Sequence, residues 1–155
     1  MNFKDRSVMV LATGFFAGYI PFAPGTFGSI VGLPICFFLS KARLSVAIPF
    51  ILIFIFFAIW IASMAEKILI QKDPGCIVID EIAGIMIALF GMPFNTISIA
   101  AGFVTFRFFD ILKPFPIRYI ERRFAGGTGV VMDDLMAGVY SNIVLRLLFI
   151  YLGRL

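Results

Sequence analysis

Of the nine carboxylates in this 155-residue chain, five stand at the ends of apolar runs: Asp80-Glu81, Asp110 and Asp133-Asp134. Arg107, Asp110 and Lys113 recur at a spacing that places one carboxylate between two cations along a single stripe of a helix. Histidine is absent, so no imidazole can serve as base, nucleophile or ligand. Carboxylates gathered without histidine suit a hard, oxygen-preferring cation such as Mg2+. Guanidinium and ammonium groups beside them suit a phosphate. These residue types describe metal-assisted phosphate chemistry.

Simpler roles compete. Asp is a preferred helix N-cap, and capping stabilises by about 0.5–2 kcal/mol, which would account for Asp133 or Asp134 as well as a ligand role does. Capping fits Asp80-Glu81 less well, because apolar residues precede them as well as follow. It does not fit Asp110, at a helix exit where negative charge opposes the dipole. Arg107, Asp110 and Lys113 could be intrahelical ion pairs, each contributing roughly 0.2–0.5 kcal/mol.

The elements that must position these groups are membrane-like. Apolar residues make up 61% of the chain and charged residues 14%, against about 45–50% and about 25% in soluble domains. A chain this short cannot hide that excess in its own interior. The composition excludes a soluble globular enzyme, a disordered chain and a disulfide-stapled module. The net charge of +4 lies between apolar runs, so it reads as orientation signals and headgroup partners rather than as a nucleic-acid surface. Cys36 and Cys76 have no metal-ligand spacing.

The expected fold is an all-α integral membrane protein, one membrane-embedded domain over residues 1–155, with about four or five hydrophobic helices in a compact bundle. Val8 to Ile20 is too short to span by the roughly 20-residue rule. It runs into a Pro/Gly loop, Pro21 to Ser29, expected to be re-entrant or interfacial. Ile30–Leu39, Leu44–Met64, Cys76–Met92, Ile97–Leu112 and Leu135–Leu152 follow. Ile117, Ile120 and Phe124 share one face and Arg118, Glu121 and Arg122 the other, the pattern of a short interfacial helix. Gly126 to Gly129 reads as a tight turn.

If each segment crosses once, Asp80-Glu81 at an entrance, Asp110 at an exit and Asp133-Asp134 at an entrance meet on one face. Lys67, Lys72, Lys113, Arg118, Arg122 and Arg123 share it, against Lys41, Arg43 and Arg154 opposite, which makes it cytoplasmic. The expected catalytic residues are Asp80, Asp110, Asp133 and Asp134, and the expected metal ligands are these with Glu81. Arg107 and Lys113 are expected on the phosphate. Thr26 and Ser29 join them if Gly25-Thr26 and Gly28-Ser29 open a helix and offer N–H groups and hydroxyls to an anion. Gly84 and Gly138 read as close helix contacts. The acid pairs of Asp80–Gly84 and Asp133–Gly138 hint at an internal repeat. Arg146 reads as a snorkelling group or an interhelical partner.

Four ordered motifs carry a resemblance. They are Pro21-Phe22-Ala23-Pro24-Gly25-Thr26-Phe27-Gly28-Ser29, Asp80-Glu81-Ile82-Ala83-Gly84, Phe106-Arg107 through Asp110 to Lys113-Pro114-Phe115-Pro116-Ile117, and Gly126-Gly127-Thr128-Gly129 through Asp133-Asp134 to Ala137-Gly138. From about Gly14 to Gly138 the chain resembles the bacterial phosphatidylglycerophosphatase A family, with Val130-Val131 where isoleucine is expected. The resemblance implies a Mg2+-dependent phosphatase of the bacterial cytoplasmic (inner) membrane. Such an enzyme hydrolyses the terminal phosphomonoester of phosphatidylglycerophosphate to phosphatidylglycerol and phosphate.

Rival phosphatase chemistries lack their residues. No arginine follows either cysteine at the spacing of a cysteine phosphatase, and no D-x-D pair is present. Attack by a metal-activated water is the favoured route and a carboxylate nucleophile the other. The competing classes are a small membrane transporter using the same carboxylates, distinguished by transport without phosphate release, and other lipid-phosphate enzymes. A CDP-alcohol phosphotransferase would need a DG-x-x-A-R opening, absent here, and a lipid kinase would need ATP.

Overall fold

The computed structural model describes residues 2–152, without the side chains at 121 and 122. The expectations for Glu121, Arg122 and Arg154 therefore lie outside what is described. The described residues form seven α-helices: α1 Phe3–Ala12, α2 Pro24–Lys41, α3 Leu44–Leu69, α4 Ile79–Ala88, α5 Thr96–Leu112, α6 Ile117–Arg123 and α7 Gly127–Tyr151. Strand is absent among them. The all-helical expectation holds.

Several boundaries differ from the sequence reading. The first apolar stretch is not one element. Asn2 and Asp5 form a reciprocal capping box that starts α1 at Phe3, and Gly14, Phe15 and Phe16 take left-handed backbone after it ends. The Pro/Gly break is shorter than Pro21–Ser29. It ends at Ala23 with φ 52°, and Pro24 opens α2 at a position where its missing N–H costs nothing. Gly25 to Ser29 are helical.

The segment Cys76–Met92 yields only ten helical residues in α4, about 15 Å long at 1.5 Å per residue. Such a helix cannot cross a hydrocarbon layer of about 30 Å, so the assumption of one crossing per segment fails here. Its C-terminal end is satisfied from α7. Asn142 Nδ2 donates to the carbonyls of Ala88 at 3.0 Å and Phe90 at 2.9 Å, and Arg146 Nη2 donates to Phe90 at 3.0 Å. Arg146 has an interhelical partner, one of the two roles expected of it.

Gly126 to Gly129 is not a free turn either. Gly126 is the N-cap and α7 begins at Gly127, whose N–H donates to Ser63 Oγ on α3 at 3.2 Å. Asp133 and Asp134 consequently sit inside α7, and no acid occupies its first turn. Capping does not explain them.

α7 is the central element, packed against α3, α4, α5 and α6, while α4 also lies against α2. α3 and α7 are long and apolar enough to cross a membrane. Leu52, Ile53, Phe56 and Trp60 of α3 are exposed, the reverse of a core helix in a soluble protein. On α6, Ile117 is fully buried and Ile120 half-buried, but Phe124 is exposed, so the expected apolar face is only partly sheltered.

Candidate active site

The site is built where α4 begins, α5 ends and α7 passes between them. Val78, just before α4, donates its N–H to the Ala12 carbonyl at 2.8 Å. Gly28 of α2 lies against the same residue, where a β-carbon would stand 2.6 Å from Val78 Cβ. The first turn of α4 is thus clamped, and it carries Asp80 and Glu81, where the helix dipole favours negative charge. Asp134 comes from α7.

These elements enclose a cavity of about 270 Å³ whose wall includes Asp80, Glu81, Arg107, Asp110, Lys113, Asp133 and Asp134. The carboxylates expected to converge do so. Asp80, Asp133 and Asp134 are 7%, 5% and 3% exposed, a burial that solvated surface acids do not show.

Within the cavity the acids divide. Asp80, Glu81 and Asp134 each offer an oxygen within 4.8 Å of the others. Asp80 Oδ1, Glu81 Oε2 and Asp134 Oδ2 are buried without a hydrogen-bond partner. Three acids this close repel one another when ionised, and a divalent cation with oxygen ligands is the group that compensates them. The donor set fits a metal ion. Asp110 and Asp133 instead face cations. Arg107 Nη1 lies 2.6 Å from Asp110 Oδ2 and 4.0 Å from Glu81 Oε1. Lys113, at the left-handed C-cap of α5, reaches across to Asp133 on α7. The helical stripe therefore pairs locally through Arg107 and Asp110, while Arg107 and Lys113 also reach acids on α4 and α7.

Thr26 and Ser29 do not join the cavity wall. Ser29 is fully buried and its hydroxyl donates to the Gly25 carbonyl at 2.8 Å, while Thr26 is half-buried outside the lining. The start of α2 brings backbone instead. Ala23, Pro24 and Gly25 line the cavity, and a β-carbon at Gly25 would stand 2.3 Å from Glu81 Oε1 and 2.6 Å from Arg107 Nη1.

Residues 10–149 match the profile of the family described as Phosphatidylglycerophosphatase A. The chain belongs to the phosphatidylglycerophosphatase A family. It is 36% identical to a phosphatidylglycerophosphatase A of Escherichia coli over 85% of this chain and 77% of that one. It is 37% identical to one from Haemophilus influenzae, over 88% of this chain and 85% of the relative. A Bacteroides thetaiotaomicron protein carrying the provisional name phosphatidylinositol-3-phosphatase is 40% identical over 88% and 90% of the two chains. No solved structure matches.

In this phosphatidylglycerophosphatase A family member the cavity holds one acid that sequence reasoning passed over. Asp73, outside the apolar segments and the four motifs, lines it with Gly75 and Ile77. The available signal was the Asp73-Pro74-Gly75 turn. Asp73 takes φ 48° there, a conformation that Asp tolerates better than most side chains.

Proposed function

We propose that this chain hydrolyses the terminal phosphomonoester of phosphatidylglycerophosphate, releasing phosphate and phosphatidylglycerol in glycerophospholipid synthesis, and that it requires Mg2+. The observation that carries the reading is the buried trio Asp80, Glu81 and Asp134, with an unpartnered oxygen on each, beside Arg107 and Lys113. Bound among those oxygens, the cation would supply Lewis-acid polarisation of the phosphoryl group. Arg107 and Lys113 hold the monoester dianion and neutralise charge on its oxygens as the transition state forms. Asp110 and Asp133 orient these two cations. Water attacks phosphorus, the bond from phosphorus to the glycerol oxygen breaks, and the water proton passes through a cavity carboxylate to the leaving oxygen.

The cavity wall is made largely of acids and cations, which suits a phosphate rather than a diacylglycerol. The acyl chains remain in lipid. Residues 1–155 act as one membrane-embedded phosphatase domain crossing by α3 and α7, with α2 and α5 as shorter companions. The exposed aromatics Phe15, Phe16, Tyr19 and Phe22 support an interfacial position for the segment between α1 and α2. Lys67, Lys72, Lys113, Arg118 and Arg123 support a cavity facing the cytoplasm, in the bacterial inner membrane.

The test is phosphate release from detergent-dispersed phosphatidylglycerophosphate, with Mg2+ and with chelator. Phosphatidic acid, phosphatidylinositol 3-phosphate and glycerol 3-phosphate serve as competing substrates. Mg2+-dependent release with the highest kcat/KM on phosphatidylglycerophosphate supports the proposal, and preference for glycerol 3-phosphate refutes it. The inositol lipid belongs in the panel because of the name borne by the Bacteroides relative. Both phospholipids carry a phosphomonoester on a polyol that is joined to diacylglycerol through a phosphodiester.

A further inference from the structure

Lys113 belongs to two hollows. Besides the acidic cavity, it lines a second space of about 480 Å³ with Leu112, Pro114, Phe115, Arg118 and Tyr119. This space lies at the corner between α5 and α6, and the corner is held from within. Tyr140 of α7 donates its hydroxyl to the Phe115 carbonyl at 3.1 Å, Ile117 donates its N–H to the Pro114 carbonyl at 2.7 Å, and the Ile117 side chain is fully buried. Leu112, Phe115 and Tyr119 present exposed apolar surface around it.

We infer that this second hollow receives the phosphodiester and the first acyl methylenes of the substrate lipid, with Arg118 on the diester phosphate. The inference rests on the lipid phosphatase reading above and deepens it. A cavity of about 270 Å³ that holds the monoester leaves the rest of the lipid outside its mouth. One glycerol unit away the substrate carries its second phosphate, a singly charged diester, followed by apolar chains. The hollow that shares Lys113 with the cavity offers both kinds of partner: the Arg118 guanidinium and the apolar surfaces of Leu112, Phe115 and Tyr119. A guanidinium binds a phosphate oxygen pair in a planar fork. Phosphatidic acid has no second phosphate to present there. Arg118 is therefore a specificity-determining residue, separating lipids with a phosphodiester from those without.

Direct binding tests this without relying on turnover. Titration calorimetry in neutral detergent micelles measures short-chain phosphatidylglycerol, which has the diester alone, and inorganic phosphate, which has neither glycerol nor chains. In R118Q the affinity for phosphatidylglycerol falls about tenfold or more, while that for inorganic phosphate stays within about twofold and R118K recovers part of the loss. Unchanged inorganic phosphate binding also reports that R118Q is folded, as expected for an exposed side chain. An R118Q protein with wild-type affinity for phosphatidylglycerol, an equal loss for both ligands, or a wild type that does not bind phosphatidylglycerol overturns the inference. Failure of the wild type to release phosphate from phosphatidylglycerophosphate overturns the function proposed above instead, and the two failures are read in separate measurements.

Discussion

Gly138 of α7 lies so close to Gly84 of α4 that a β-carbon at position 138 would stand 2.4 Å from the Gly84 carbonyl oxygen. Gly84 is confined as well. A β-carbon at Gly84 would meet the Phe106 ring at 2.5 Å and the Asp134 carbonyl oxygen at 2.9 Å. Backbone against backbone is the closest approach two helices can make, and it brings Asp80 on one to Asp134 on the other.

Gly138→Ala therefore forces α4 and α7 apart, because backbone cannot swing aside as a side chain would. Overpacking of this kind costs about 1–3 kcal/mol, and misplacing the acids lowers the rate of phosphate release by about tenfold or more. Thermal unfolding in detergent and phosphate release check both effects. A G138A protein with wild-type melting and rate would show that the close approach is not needed.

The division among the acids predicts different responses to metal. Mg2+ at about one hundred times its Kd should stabilise the wild type by about 2.7 kcal/mol, read as a rise in Tm over chelator. Asp80→Asn, Glu81→Gln and Asp134→Asn should lose that rise, and in chelator should melt no lower than wild type, since each relieves like-charge repulsion. Asp110→Asn and Asp133→Asn should keep the rise. All four Asp variants should lose most activity. A Tm response retained by both D80N and D134N contradicts the trio as the metal site.

Arg146 and Asn142 close the end of α4 together, for Arg146 Nε donates to Asn142 Oδ1 at 2.8 Å while both side chains donate to α4-end carbonyls. Arg146→Leu should destabilise by about 1–3 kcal/mol through carbonyls left unpaired in an apolar setting. Asn142→Leu should do the same, and the double variant should cost less than the two summed. Strict additivity in a double-mutant cycle would deny the shared cap.

Single cysteines at Lys72 and Ala125, in a background with Cys36 and Cys76 replaced by Ala, should resist an impermeant thiol reagent in intact cells and react once the membrane is opened. A cysteine at Arg43 should behave oppositely. Labelling of the first two from outside reverses the orientation.

Much of the site is legible along the chain, for reasons of local geometry. Arg107 and Asp110 pair because residues three apart on a helix are neighbours whatever surrounds them. Asp80-Glu81, Asp110 and Asp133-Asp134 converge because successive apolar elements must reverse direction. The convergence holds although α4, at ten residues, is too short for the one-crossing-per-segment assumption behind it. Composition alone marks α3 and α7 as apolar enough for a membrane.

Tertiary contact decided the rest. Asp80, Glu81 and Asp134 come together while Asp110 and Asp133 turn to cations, because helix rotation and separation are set by Gly84 and Gly138, not by residue type. Ser29 is turned inward and bonded to Gly25, since α2 begins at Pro24 and the packing of Gly28 on Val78 fixes which side of it faces the cavity. Asp73 enters the wall because a turn folds back, and α4 ends early because Asn142 and Arg146, more than fifty residues away, supply the donors its last carbonyls need. Residue types state which chemistry is available. Only packing states which groups are close enough to share it, because charge interactions fall off over ångströms that spacing along the chain does not determine.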